Sequence, residues 1–89
     1  MTTEQVIFRK TCKTETQKEL KLEYALTCTF EEAQPQYGVL VRAIGQQTHE
    51  QVCVPNITPD IMRAASLLRL LSDSTVTPCT AKDVIDDWL

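Results

Sequence analysis

The sequence predicts an α+β domain: a four-stranded antiparallel meander, then one long and one short C-terminal helix packed on one face. Three observations predict it. Apolar and polar residues alternate with period two from Glu19 to Phe30. Two further runs follow that can pair with it as hairpins. Helical periodicity begins only after Thr58, so the strands are grouped first and the helices after. The chain has 89 residues, enough for a single domain over 1–89 and too few for two.

The first strand, roughly 5–13, is the weakest. Val6, Phe8 and Cys12 alternate, interrupted by Lys10. The polar stretch Lys13 to Lys18 reads as a connecting loop. The second strand, roughly 19–30, sets Leu20, Leu22, Tyr24, Leu26, Cys28 and Phe30 on one face. Glu19, Lys21, Glu23, Ala25, Thr27 and Thr29 take the other. So clean a pattern favours an antiparallel sheet with one wet face. Glu31 to Gln36 is polar, holds Pro35 and reads as a turn. In the third strand, roughly 36–44, Tyr37, Val39, Val41 and Ala43 alternate with Gly38, Leu40, Arg42 and Ile44. A register with Phe30 opposite Tyr37, Cys28 opposite Val39 and Leu26 opposite Val41 makes every pair apolar. Gly45 opens a short Gln-Gln-Thr turn. The fourth strand, roughly 49–54, then sets Val52 opposite Val41 and Val54 opposite Val39, and Pro55 ends it.

The long helix is expected over roughly 59–73. Thr58 suits the N-cap, Pro59 the first helical position, and Asp60 the positive end of the dipole. Ile57 and Met62 are spaced for a hydrophobic staple. Ile61, Ala64, Ala65, Leu67, Leu68 and Leu71 form one apolar arc. The short helix, roughly 81–88, follows Pro78, and Thr80 to Asp83 matches a capping box. Val84, Ile85, Trp88 and Leu89 share one face; Lys82, Asp83, Asp86 and Asp87 share the other.

Composition argues against several functions. The net charge is −3 and the pI about 5.0. Arg9, Lys10, Lys13, Lys18 and Lys21 interleave with Glu15, Glu19 and Glu23, so no basic stripe points to nucleic acid. Met1 to Lys10 lacks an apolar run, and no segment approaches the ~20 apolar residues of a membrane span. The expectation is a cytoplasmic protein without a signal peptide. Cys12, Cys28, Cys53 and Cys79 show no Cys-x-x-Cys spacing and read as reduced, buried small hydrophobes. Neither Gly38 nor Gly45 opens a helix, so no phosphate loop is present. His49 reads as a strand-end surface residue. Asp83, Asp86 and Asp87 offer a hard metal too few ligands. No catalytic centre, metal, cofactor or small-molecule ligand is expected.

Two apolar surpluses remain. Met62 and Leu70 fall on the polar side of the long helix, and Leu40, Ile44 and Cys53 fall on the wet face of the sheet. Exposed apolar patches on a small domain mark interfaces. Asp86 and Asp87 stand at a helix C-terminus, where the macrodipole disfavours negative charge. Trp88 suits either core packing or a partner anchor. The first reading is therefore a non-enzymatic interaction or regulatory domain, homodimeric or bound to a protein partner, through Trp88, Leu89, Asp86, Asp87, Met62 and Leu70. A second reading is a thiol-based sensor or small enzyme using Cys12, which lies near Arg9, Lys10 and Lys13. A third, resting on size and acidity, is a small inhibitor of a larger bacterial or phage-defence enzyme.

Tyr37-Gly38-Val39 opens a strand, and a Pro-bearing segment precedes the closing run from Asp83 to Leu89, Asp-Val-Ile-Asp-Asp-Trp-Leu. From Tyr37 to Leu89 this resembles a domain-of-unknown-function family of small Firmicutes proteins. Members of that family end in a similar Asp-Val-Val-Glu-Asp-Phe-Leu run. Asp86 and Trp88 depart from it conservatively, and Cys79-Thr80 replaces the residues expected after the proline. The resemblance implies a bacterial cytoplasmic protein and assigns no activity, substrate or catalytic residue.

Overall fold

Alternation fixes the sheet. In the computed structural model, which describes residues 2–13, 18–31, 34–46 and 49–89, the strands are β1 (Thr2–Lys13), β2 (Glu19–Glu31), β3 (Gln34–Ile44) and β4 (His49–Thr58). They form one antiparallel sheet in the order β1-β2-β3-β4. Helices α1 (Ile61–Asp73) and α2 (Pro78–Trp88) follow. The loop expected from Lys13 to Lys18 and the turn after Gly45 lie largely outside the described residues, as does the centre of the turn after Glu31.

Both helices pack on the face that carries Leu22, Tyr24, Val39, Val41 and Ala43. Leu67, Leu68, Leu71, Ala81 and Ile85 complete that core. Tyr24 is fully buried, and its hydroxyl donates to the Val76 carbonyl oxygen at 2.8 Å, tying the α1–α2 link to the sheet. Burial, with a smaller contribution from Cys12, pushes its pKa up to about 12.

Three sheet expectations need correction. The β2–β3 register is displaced by two: Cys28 faces Tyr37, Leu26 faces Val39 and Tyr24 faces Val41. An even displacement keeps every side chain on its face, so alternation alone does not distinguish the two registers. The β3–β4 pairs Val41–Val52 and Val39–Val54 stand as expected, but Pro55 does not end β4. Between those pairs and Tyr37–Thr58, β4 bulges around Pro55 and Asn56, and Asn56 takes the left-handed φ of 58° that asparagine tolerates. Gly38 faces this bulge. A Cβ there would strike the Val54 carbonyl oxygen and lie 2.6 Å from Pro55 Cα, so only glycine fits. Finally, a bulge at Ile7 reverses the faces of β1. Phe8 pairs with Tyr24 on the helix side, whereas Val6 pairs with Ala25 on the open side.

Helix starts also differ. Asp60, not Thr58, caps α1: its carboxylate accepts from the Met62 N–H at 2.9 Å, while the Thr58 hydroxyl accepts from the Asp60 N–H at 3.1 Å. Met62 therefore makes no staple and is 71% exposed. Helix α2 begins at Pro78 with Thr77 as N-cap, because proline suits the first helical position. Thr80 lies inside the helix and bonds back to the Thr77 carbonyl oxygen at 3.3 Å, so no capping box forms. Helix α1 ends on Thr75 at φ 51°. The Val76 N–H reaches Leu71 O, and the Thr75 N–H reaches Ser72 O, each at 3.0 Å. That is a Schellman ending with a β-branched residue where glycine is favoured.

Among the described residues, no helix is long and apolar enough to cross a membrane.

Candidate functional site

The two flanks of α1 meet different surroundings. Toward α2, Arg63 stacks its guanidinium 5.0 Å from the centroid of the half-buried Trp88 ring, which packs on the core. On the other flank, among the described residues, no element covers the helix-side face of β1 beyond α1. A groove of about 390 Å³ opens there, between Gln5, Ile7, Phe8 and Leu26 of the sheet and Ile61, Met62, Ala65, Leu68 and Arg69 of α1. Sequence periodicity explains the α1 wall. Ile61, Ala65 and Leu68 form one edge of the apolar arc, but only Leu68 is buried, while Ile61 and Ala65 stay exposed. The β1 wall follows from the bulge, which turns Phe8 inward and leaves Ile7 45% exposed. At one end of the groove Lys10 Nζ donates to the Thr75 hydroxyl at 3.4 Å, and Arg69 forms only a loose i,i+4 pair with Asp73 at 3.6 Å.

The expected contact residues thus fall into two groups. Met62 lines the groove. Leu70 lies seven residues from Arg63, on the same helical stripe and so on the α2 flank; it is 43% exposed. Trp88 and Leu89 also lie on the α2 side, Leu89 being the more exposed. Asp86 and Asp87 are exposed and, among the described residues, make no ion pair. Ile7, Phe8 and Ile61 were not expected in a site. Only Ile61 had a sequence signal, as the first residue of the α1 arc.

On the open face of the sheet, Ile44 and Cys53 are exposed as expected and Leu40 is not. Leu40 is buried although neither helix lies over it. Glu4 and Arg42 bridge at 2.8 Å across the row of Val6, Ala25, Leu40 and Cys53. Glu23 extends the network to Arg42 at 3.0 Å and to Arg9 at 3.2 Å. The Arg42 guanidinium beside Glu23 holds its carboxyl below the usual carboxylate range.

The thiols are dispersed. Cys12 and Cys28 are half-buried, whereas Cys53 and Cys79 are exposed rather than buried as their type predicts. Cys12 lies on the helix side beside the core, whereas its neighbour Arg9 is paired with Glu23, and Lys10 is drawn to Thr75. Desolvation, and then the Glu4 carboxylate, push the Cys53 thiol up, away from the nucleophilic thiolate. His49 is exposed opposite Ile44 at the start of β4. Among the described residues, no group of three or more His, Cys, Asp or Glu side chains is arranged to hold a metal.

No curated protein and no solved structure matches the chain. Over residues 3–89 it matches the family of unknown function DUF6514, a span well beyond the C-terminal resemblance, and the chain belongs to that family.

Proposed function

We propose that this protein is a non-enzymatic protein-interaction domain whose principal contact surface is the groove between β1 and α1. One observation carries the reading: Ile7, Ile61 and Met62, at 45%, 46% and 71% exposure, surround one concave apolar site. Scattered exposed apolar residues are ordinary; a contiguous set lining a groove marks a recognition surface. The α2 flank supports a smaller role, since Arg63 already occupies the face of Trp88.

A photo-crosslinking amino acid at position 62, with the same probe at Lys82 on the exposed side of α2, tests this in cells of the native host. A discrete protein adduct is expected from position 62 only, and Ile61→Glu in the same chain abolishes it. Equal adducts from both positions, or an adduct that survives Ile61→Glu, refute the reading.

A further inference from the structure

We infer that the groove takes an amphipathic α-helix from a partner protein, with an acidic residue at the end that reaches Arg69 and Lys10. This deepens the proposed function and rests on it. The groove belongs to the helical layer: one wall is α1 and the floor is the helix-side face of β1. A helix laid beside α1 continues the layer that α1 and α2 begin, placing apolar residues at i, i+3 or i+4, and i+7 against Phe8, Ile61 and Met62. Ala65, midway along the wall, lets it approach closely. Met62 to Arg69 spans about 10 Å of helix axis, so two to three turns of the occupant fill the site.

An extended occupant fits less well. An added strand needs a regular edge, but β1 carries the Ile7 bulge and the charges of Glu4, Arg9, Lys10 and Lys13, devices that discourage edge pairing. Charge sets the polarity. Arg69 is 76% exposed, and its loose pair with Asp73 leaves it available. Lys10 lies at the same end and, among the described residues, forms no ion pair. Carboxylates on the occupant complement both.

The test is selection of sixteen-residue displayed peptides on the immobilised full chain, with affinities measured on the synthetic winners. Enriched peptides are expected to share apolar spacing of three and four with an acidic terminus, and to gain helical circular dichroism on binding. Ala65→Trp, which fills the groove, should weaken them at least tenfold, and Arg69→Glu should reverse the preference for the acidic end. Winners with period-two alternation, winners indifferent to Ala65→Trp, or no enrichment overturn the helix. Light scattering over a concentration series assigns the groove to a second copy, and overturns the inference, if a dimer forms that Ala65→Trp dissolves. Should the peptides fail while the position-62 adduct persists, the docking surface stands and only its helical occupant falls.

Discussion

The two flanks of α1 are built from similar residues and end differently. On the α2 side, Ala81 and Ile85 are buried, Trp88 packs on the core under Arg63, and Tyr24 locks the connecting link through Val76. On the β1 side, Phe8 is only half-buried, while Ile7, Ile61 and Met62 remain in solvent. The two helices leave the helix-side face of β1 partly uncovered. The chain has sealed the α2 flank around Ile85 and Trp88, with Leu70 and Leu89 still exposed there, and has left a concave apolar groove on the other. Residues on the sealed side should therefore govern folding, and residues on the open side binding.

The sharpest contrast comes from truncating each side. Leu67→Ala, at a fully buried core position, should cost about 3–4 kcal/mol in denaturant unfolding. A loss below ~1 kcal/mol would mean that the core lies elsewhere.

Tyr24→Phe comes next. It leaves the buried Val76 carbonyl without its donor and should cost about 1–2 kcal/mol. It also has a pH signature. Tyr24 is raised in the folded chain from 10.0 to about 12. The unfolded chain therefore ionises first. The associated stability, about 2–3 kcal/mol, is full below pH ~10 and is lost as pH rises through ~12. Stability curves of the wild type and Tyr24→Phe should converge and then cross over that interval; parallel curves would show that the hydroxyl is not buried.

Thr75→Gly should act in the opposite sense. It relieves a β-branched residue at φ 51° and removes the 3.4 Å contact with Lys10 at the groove end. A net gain of about 0.5–1 kcal/mol is expected, the left-handed penalty outweighing the entropy of glycine. The smallest effect belongs to Met62→Ala, within about 0.5 kcal/mol of wild type because its side chain is mostly in water. A larger loss would move Met62 from the binding side of the comparison to the folding side.

Much of the fold was legible in the sequence, and the difference between the flanks of α1 was not. Period-two alternation through β2 and β3 gave the strands and their faces, and Thr58-Pro59-Asp60 marked the start of α1 to within two residues. Both Thr58 and Asp60 are acceptable caps, and the choice between them depends on how β4 ends. The Ile7 bulge left no mark in β1, where Val6, Phe8 and Cys12 looked like one face. Gly38 was a signal that could have been used: an isolated glycine within a strand points to a bulge or a close backbone approach, and here it faces both. Met62 stood out as apolar on a polar stripe. Its partners Ile7 and Phe8 did not, because a groove between β1 and α1 depends on which strands the helix covers. Leu40 misled for a related reason, since an ion-pair network across a sheet face is invisible to periodicity.

The comparison supplies its own pair of reporters, for the chain has a single Trp, on the sealed side, and two Met, of which Met62 is on the open side. The most direct test records the methyl signal of Met62 and the indole signal of Trp88 by NMR as labelled protein is titrated with a cell lysate of its native host. The account predicts that Met62 shifts or broadens while Trp88 holds, and that Ala65→Trp abolishes the Met62 response. A Trp88 response with Met62 unchanged would contradict it and move the contact surface to α2.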